Sequence, residues 1–194
     1  MNWRASMSWQ TAQKKSALNK KIRHFFEVRG VVEVETPLLS QGTVTDIHLD
    51  GFKTKYDFSA GDELALYLQT SPEFCMKRLL ASGYGDIYQL CKAFRDEPYG
   101  KQHNPEFSIL EWYRKGYNLI DLMREVEELL VETLACEKAF YISYQDVFIE
   151  STSIDPLAAD ITLLKNFLKK HGKLDQWLLE TDSTDTLLQF IFSE

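Results

Sequence analysis

The spacing of apolar residues near the start of the chain predicts an amphipathic helix between Ser8 and Val28. Apolar side chains recur there at helical intervals, and most lysines and arginines fall between them. Gly30 can adopt a left-handed conformation and so end this helix. The alternating segment 31–35 then predicts a half-buried strand, which Pro37 ends. The apolar positions of the helix are Leu18, Ile22, Phe25 and Phe26.

The following part of the chain predicts short strands and one helix. Segment 40–63 is polar and contains several glycines, which is typical of hairpin strands and loops. Apolar residues at 64–68 predict a further short strand. We then expect a helix with Ser71 as its N-cap and Pro72 in its first position, ending near Gly83.

Two longer strands and three helices complete this pattern. The strands cover 87–95 and 107–113, and their connection exceeds the usual hairpin loop of about 2–5 residues, which is typical of a functional loop. The most regular helix runs over 118–135, where Asn118 and Asp121 can cap its start. Its apolar face comprises Leu122, Met123, Val126, Leu129 and Leu130. The remaining helices are predicted at 160–171 and 184–192.

Composition places the chain among globular proteins. It has 194 residues, 44% of them hydrophobic, and its 12 Phe, 9 Tyr and 4 Trp exclude intrinsic disorder. No apolar run reaches the roughly 18–20 residues of a membrane helix, and we expect no signal peptide. Three cysteines without paired spacing (Cys75, Cys91 and Cys136) predict reduced thiols in a cytoplasmic protein. The net charge of −7 argues weakly against a broad nucleic-acid surface but allows a local basic site.

The two longer strands bring together side chains that can carry chemistry. Strand alternation puts Phe107, Glu111 and Tyr113, with Ile109 between them, on one face, which Arg95 can reach across the hairpin. An arginine suits phosphate oxygens, a phenyl ring can stack on a purine, and a carboxylate beside a tyrosine can hold an ammonium group. From the strand pattern alone, an ordinary solvated hairpin with weak surface ion pairs is the commoner alternative.

Several ordered segments resemble motifs of the class II aminoacyl-tRNA synthetases, specifically the lysyl branch. F-R-D-E at 94–97, H-N-P-E-F at 103–107 and L-E-W-Y at 110–113 are similar to motif 2. The first helix with V-V-E-V-E-T-P at 31–37 resembles motif 1, and T-S-P-E-F-C-M-K-R-L-L at 70–80 resembles the lysyl-type substrate segment. Within this branch the elongation factor P–lysine ligases, a family of lysyl-tRNA synthetase paralogues, resemble the chain most. Further segments shared with them lie at 40–48, 87–91 and 154–157.

The resemblance implies an α+β fold, in which an antiparallel sheet of class II synthetase type is flanked by helices. Residues 1–194 would form part of one catalytic domain, with motif 1 at about 10–37 and motif 2 at about 87–113. Motif 1 of this family forms a two-fold interface, so a homodimer is expected.

The resemblance also implies a site for ATP in motif 2. Arg95 would bind the α-phosphate and stabilise the pentavalent state as a carboxylate attacks, and Asp96 would lie beside it. Glu97 would hold the adenine side of the nucleotide, and Phe107 would stack on adenine. His103, with Asn104, would contact the polyphosphate and ribose. The ligands for Mg²⁺ would lie beyond residue 194.

The amino-acid site is implied by the segment at 70–80 and by the second strand. Ser71, Pro72 and Glu73 would orient the amino acid, with Glu73 near an amino group. Glu111 and Tyr113 would line the pocket for the far ammonium of a lysine-like side chain. The chemistry agrees, because two carboxylates favour a cationic substrate, whereas an aspartate-type site would be expected to offer Arg or Lys.

Several of these residues also have structural explanations. A carboxylate in the first turn of a helix is favoured by the helix dipole, which alone can explain Glu73. His103 can be an ordinary surface histidine, Tyr113 can be a core aromatic, and Trp112 on the opposite strand face is expected in the core. His24, His48 and His171 are expected to be structural or solvated. No spacing of histidines and cysteines predicts a metal site.

Two expected absences bear on function. The chain has no room before motif 1 for the anticodon-reading domain of lysyl-tRNA synthetases, which favours elongation factor P over tRNA as acceptor. ATP and lysine or β-lysine would form an adenylate, and the acyl group would pass to a lysine of elongation factor P. Motif 3 is not found after Tyr141, so we expect a fragment with little or no activity alone. A lysyl-tRNA synthetase-like fragment and a non-catalytic dimerising remnant are the alternatives.

Overall fold

A computed structural model describes residues 3–47, 49–59, 61–98, 100 and 103–194. The chain forms two compact units, Met1–Lys138 and Ala139–Glu194. The first unit mixes helices and strands, and the elements assigned in the second unit are helices, which confirms the predicted α+β class. The elements of the first unit are α1 (Trp9–Glu27), β1 (Val32–Glu33), β2 (Leu39–Ser40), β3 (Lys53–Ser59), β4 (Asp62–Leu68), α2 (Glu73–Ala81), β5 (Ile87–Phe94), β6 (Glu106–Tyr113) and α3 (Leu119–Leu134).

The first helix has the predicted boundaries. The Ser8 side chain accepts a hydrogen bond from the backbone N–H of Thr11 and so caps the start of α1. At the other end Gly30 has a φ of +69°, and the N–H of Val31 reaches back to the carbonyl of Phe26. This arrangement gives hydrogen-bond donors to carbonyls at the end of the helix. The left-handed backbone at position 30 favours glycine, which has no side chain.

The first sheet has the strand order β1-β5-β6. The β5–β6 hairpin is antiparallel, and Gln89 lies opposite Glu111 in its register. The strand predicted at 31–35 is reduced to two residues, which pair with β5 in parallel. Behind this sheet the ring of Phe26 stacks on Tyr88 at a centroid distance of 4.4 Å, and Trp112 packs against the same cluster, as predicted for a core aromatic.

The second sheet has the order β2-β4-β3 and is antiparallel throughout. Its β3–β4 hairpin confirms the prediction of hairpin strands in the polar segment. The following helix begins one residue later than predicted, because Pro72 rather than Ser71 holds the N-cap position. Ser71 nevertheless accepts a hydrogen bond from the N–H of Glu73, at 3.0 Å. Gly83, with a φ of +95°, follows the end of α2 as expected.

Helix α3 has the predicted cap but buries a different face. Asn118 and Asp121 form a reciprocal capping box. Leu122 and Leu130, however, are exposed, and the buried residues of α3 are Glu125 and Leu129. The buried side of α3 therefore shares Leu129 with the predicted apolar face but also includes Glu125, a charged residue outside that face.

The second unit contains four helices. They are α4 (Tyr144–Thr152), α5 (Ile161–Lys170), α6 (Gln176–Glu180) and α7 (Thr184–Ser193). Helices α5 and α7 confirm the prediction, whereas α4 and α6 were not expected. The core of this unit includes Phe148, Leu164, Leu168, Leu178 and Leu187. None of the helices in the described residues is long and apolar enough to cross a membrane.

Candidate active site

The β5–β6 hairpin and the start of α2 come together at Glu111. Ser71 Oγ donates a hydrogen bond of 2.6 Å to Glu111 Oε1, and the Tyr113 hydroxyl donates one of 3.4 Å to Oε2. Both oxygens of this carboxylate therefore face a hydroxyl group. Because charge-assisted hydrogen bonds are the stronger kind, Ser71 and Tyr113 fix the orientation of Glu111.

Burial raises the pKa of Tyr113 well above its ordinary value, and the charges of Glu111 and Glu73 raise it further. Tyr113 therefore stays a neutral hydrogen-bond donor at physiological pH. The same electrostatics favour a positive charge at this place, since two carboxylates act on it together. Glu73 is itself exposed and forms an ion pair with Lys77, one helical turn further along α2.

A cavity of about 740 Å³ opens beside this cluster. Four of the residues predicted from the sequence line it: Ser71, Glu73, Arg95 and Glu111. Pro72 is buried beneath the start of α2, and Tyr113 reaches the site through Glu111. The cavity is thus lined by carboxylates as well as by the guanidinium of Arg95, and the carboxylates suit an amino acid with a cationic side chain.

Arg95 follows the last residue of β5. Its Nε donates a hydrogen bond of 3.4 Å to the carbonyl of Thr70, and its Cζ lies 5.1 Å from the ring centroid of Phe107. Across the described residues, no carboxylate lies within ion-pair distance of Arg95. A guanidinium held by an aromatic face and a carbonyl, without a carboxylate partner, can bind an anion.

The remaining nucleotide candidates lie in the connection between β5 and β6. Glu97 Oε2 and His103 Nδ1 are 3.3 Å apart, and both side chains reach solvent. The N–H of Asp96 donates to the carbonyl of Asp50 at 2.8 Å, which ties this connection to the loop before β3. Glu97, His103 and Asn104 are not among the residues that line the cavity, so the structure does not join them to the amino-acid cluster.

The profile of the tRNA synthetases class II (D, K and N) matches residues 1–156. The chain belongs to this family. The elongation factor P–(R)-beta-lysine ligase of Erwinia tasmaniensis is 48% identical over 192 residues, which cover 98% of this chain and 59% of that protein. The corresponding ligases of Pectobacterium atrosepticum and Haemophilus ducreyi are 46% and 47% identical over 99% and 100% of this chain. The chain spans about 59% of the length of these relatives.

These similarities confirm the family that the motifs indicated. The class II synthetase profile covers both the motif 1 and the motif 2 segments. It also covers the loop at 40–47, and Ser40, Thr43, Thr45 and Asp46 of that loop line the cavity. His48, which the sequence assigned a structural or solvated role, lies outside the described residues. His24 and His171 lie on the surface, as expected.

Other residues that line the cavity were not predicted from the sequence. Gln69 is the most informative, because its Nε2 donates a hydrogen bond of 2.7 Å to the carbonyl of Lys92. Its own backbone carbonyl accepts from the N–H of Phe94, and its N–H donates to Leu38. Gln69 therefore links the second sheet to β5 two residues before Ser71. Its place next to the substrate segment was the signal that could have found it. The other missed lining residues include Leu49, Thr70, Phe74, Cys75 and Arg78.

The described part of this family member shows no group of His, Cys, Asp or Glu side chains that could hold a metal ion. Nucleotide-dependent members of such folds use the hard cation Mg²⁺, which prefers several oxygen ligands. The described residues do not supply such a ligand set.

Proposed function

We propose that the chain carries part of the catalytic domain of an ATP-dependent amino-acid ligase, with motif 1 at about 10–37, motif 2 at about 87–113 and no motif 3. The observation that carries this proposal is that one cavity is lined both by Arg95, which has no carboxylate partner among the described residues, and by Glu111, which two hydroxyls hold. One end of that cavity suits a phosphate and the other suits an ammonium group.

In the first reaction, the carboxylate of a lysine or β-lysine attacks the α-phosphorus of ATP. A bond forms between the carboxylate oxygen and phosphorus, and pyrophosphate leaves with the electron pair of the broken bond. Arg95 binds the α-phosphate oxygens and stabilises the charge that develops on them. Phe107 limits the movement of the guanidinium and offers its other face to adenine. Asp96, Glu97, His103 and Asn104 contact the rest of the nucleotide, and Mg²⁺ accompanies the ATP.

The amino acid is held by the opposite wall of the cavity. Glu111 binds the side-chain ammonium, Tyr113 and Ser71 keep that carboxylate in place, and Glu73 attracts the second amino group. Pro72 fixes the start of the helix that presents Glu73. Within a family that uses aspartate, lysine or asparagine, the two carboxylates favour the cationic substrate, because an aspartate side chain would be repelled.

In the second reaction, the ε-amine of a lysine on elongation factor P attacks the acyl carbonyl. An amide bond forms, AMP leaves, and the amine gives up a proton. The proposal of this acceptor rests on the relatives, which are named elongation factor P–(R)-beta-lysine ligases. We place the reaction in the cytoplasm, where ATP and the translation factor occur and where the free cysteines stay reduced.

A homodimer is part of the proposal. Exposed apolar side chains lie on the motif 1 elements, where Trp9, Val28 and Val32 reach solvent. Apolar residues in such a position are typical of a surface that packs against a second subunit.

The experiment that tests the proposal is calorimetric titration of the chain with lysine, (R)-β-lysine and aspartate. We expect binding of the two cationic amino acids and none of aspartate, and Glu111→Gln should weaken the binding of the cations by about tenfold or more, as expected for a charged hydrogen-bond partner. Glu106→Gln is the matched control, since Glu106 lies on the same strand and pairs with Lys92 outside the cavity. Equal binding of aspartate would refute the assignment. Charging of tRNA but not of elongation factor P would instead favour the lysyl-tRNA synthetase alternative.

A further inference from the structure

A buried carboxylate lies behind the strand that carries Glu111 and Tyr113. Glu125 of α3 is only 4% exposed. The indole Nε1 of Trp112 donates a hydrogen bond of 2.9 Å to Glu125 Oε2, and Arg114 Nε lies 3.2 Å from Oε1. A buried carboxylate is costly unless it has partners, and Glu125 has two: the hydrogen bond from Trp112 and the ion pair with Arg114.

The guanidinium of Arg114 links this carboxylate to a second one. Arg114 Nη1 lies 3.1 Å from Asp86 Oδ2, and the Arg114 side chain is 9% exposed. Asp86 Oδ1 also accepts a hydrogen bond of 2.7 Å from the N–H of Lys115. Asp86 directly precedes β5, whose first residue Ile87 is paired with Tyr113. The end of β6 is therefore held by α3 and by the start of β5.

Both sequence neighbours of Tyr113 are anchored in this way. Side chains alternate across a strand, so Trp112 leaves β6 on the face opposite to Tyr113, and Arg114, the first residue after β6, reaches the same carboxylate as Trp112. Fixing the two neighbours fixes the backbone between them and hence the direction of the Tyr113 side chain. That direction brings its hydroxyl to 3.4 Å from Glu111.

We propose that Glu125 is a positioning residue for the amino-acid site. It acts through Trp112 and Arg114, holds the Tyr113 hydroxyl on Glu111, and so keeps the acceptor for the substrate ammonium in one orientation. This inference rests on the proposed function for the part that concerns substrate binding. The geometric part, from Glu125 to Tyr113, stands independently of it.

The competing explanation is that Glu125 only stabilises the fold. Loss of a partner in a buried ion pair destabilises a protein whether or not the pair serves a site. A useful test therefore needs a readout at Tyr113 itself. The ring carbon that bears its hydroxyl provides one, because the NMR shift of that carbon depends on hydrogen bonding and on nearby charge.

The experiment uses the full chain labelled with ¹³C at this carbon of tyrosine, with Tyr113→Phe to assign the resonance. Glu125→Gln keeps the size of the side chain and an acceptor for Trp112 but removes the charge that faces Arg114. Glu128→Gln is the matched control, because Glu128 lies on the same helix and pairs with Arg29 at the surface. Tyr67 of the second sheet reports on general changes of packing.

We expect Glu125→Gln to shift the Tyr113 resonance while leaving that of Tyr67 in place, and Glu128→Gln to shift neither. Lysine binding should weaken by about ten- to a hundredfold in the same variant, as expected when a binding group is misplaced. An unchanged Tyr113 resonance in a folded Glu125→Gln protein overturns the proposal, even if its melting temperature falls. If that variant does not fold, Trp112→Phe tests the same link, because it removes only the indole N–H and part of the ring.

Absence of lysine binding in the unaltered chain would count against the proposed function. The Tyr113 resonance would still test the link from Glu125 to Tyr113, which does not depend on lysine binding. The two failures are therefore distinguishable.

Discussion

Ser71 donates a 2.6 Å hydrogen bond to Glu111, a residue 40 positions further along the chain. This contact joins the start of α2 to the middle of β6 inside the cavity. It also explains why a serine precedes Pro72 although it is not the N-cap residue: its hydroxyl hydrogen is given to Glu111, while its oxygen accepts from Glu73.

Ser71→Ala should weaken lysine binding, because Glu111 loses one of its two hydroxyl partners. A hydrogen bond to a charged group contributes about 1.5–3 kcal/mol, so the dissociation constant should rise by about tenfold or more. Calorimetric titration measures it. Ser82→Ala is the control at the other end of α2, where the hydroxyl donates only to the Arg78 carbonyl. Equal affinities of the Ser71→Ala and unaltered proteins would contradict the role given to this contact.

Arg95→Lys should weaken the binding of ATP while leaving that of lysine almost unchanged. A lysine retains the positive charge but loses the planar fork that binds phosphate oxygens in pairs and packs on Phe107. The expected loss is about tenfold in ATP affinity, measured by titration with a non-hydrolysable ATP analogue. Arg124→Lys on α3 is the control. A similar loss of ATP affinity in both variants would indicate a general charge effect instead.

Ionisation of Tyr88 should lower the free energy of unfolding at alkaline pH. Burial and the hydrogen bond to Glu33 raise the pKa of Tyr88 to about 12, above its ordinary value of 10.0. The folded state therefore keeps a proton that the unfolded state loses, and stability decreases as pH rises from 10 towards 12 by up to about 1.4 kcal/mol per pH unit.

Urea unfolding of the unaltered protein and of Tyr88→Phe at pH 8, 10 and 11 tests this dependence. At pH 8 the variant should be less stable by about 1 kcal/mol, since it lacks the hydrogen bond to Glu33. The difference should shrink as the pH rises, because only the unaltered protein contains this ionising group. A constant difference across the three pH values would show that Tyr88 titrates normally.

Gly30→Ala should destabilise the first unit by about 1–2 kcal/mol, because an alanine is strained at the φ of +69°. A Cβ at this position would meet no atom within 4 Å, so the expected loss comes from the backbone alone. Gly85→Ala is the control, since its Cβ would also meet nothing and its φ lies outside the left-handed region. Chemical unfolding measures both, and equal stability of the two variants would contradict the prediction.

Val32→Lys should shift the proposed homodimer towards monomer. Val32 is 60% exposed on β1, and a lysine at the centre of an apolar contact would have to lose its hydration. Sedimentation velocity over a range of concentrations measures the shift. Leu157→Lys changes a residue that is 76% exposed in the second unit and should have no effect. A monomeric unaltered protein at high concentration would rule out the dimer.

Local signals predicted much of this fold. Ser8, Gly30 and the pair Asn118 and Asp121 act on backbone groups within a few residues, so the ends of α1 and the start of α3 could be predicted from the sequence. The β5–β6 hairpin followed in the same way, because its strands are neighbours in the chain. These are the features for which short-range chemistry decides the structure.

Features that depend on distant partners could not be predicted. Glu125 is buried where Trp112 of β6 and Arg114, directly after β6, reach it, and no pattern within α3 indicates such partners. The wall of the cavity formed by Gln69 likewise depends on Lys92 and Phe94 of another strand. The site residues were found from motifs, and their roles stay predictions until the binding experiments are done.

The hydrogen bonds of Gln69 influence the geometry of the cavity. Its backbone and side chain join the second sheet to β5, and Ser71 follows it two residues later. Because Gln69 is hydrogen-bonded to Lys92 and Phe94, and Arg95 is hydrogen-bonded to Thr70, a movement of the second sheet would leave Ser71 beside Arg95 and so preserve the spacing of the groups that both present to the cavity.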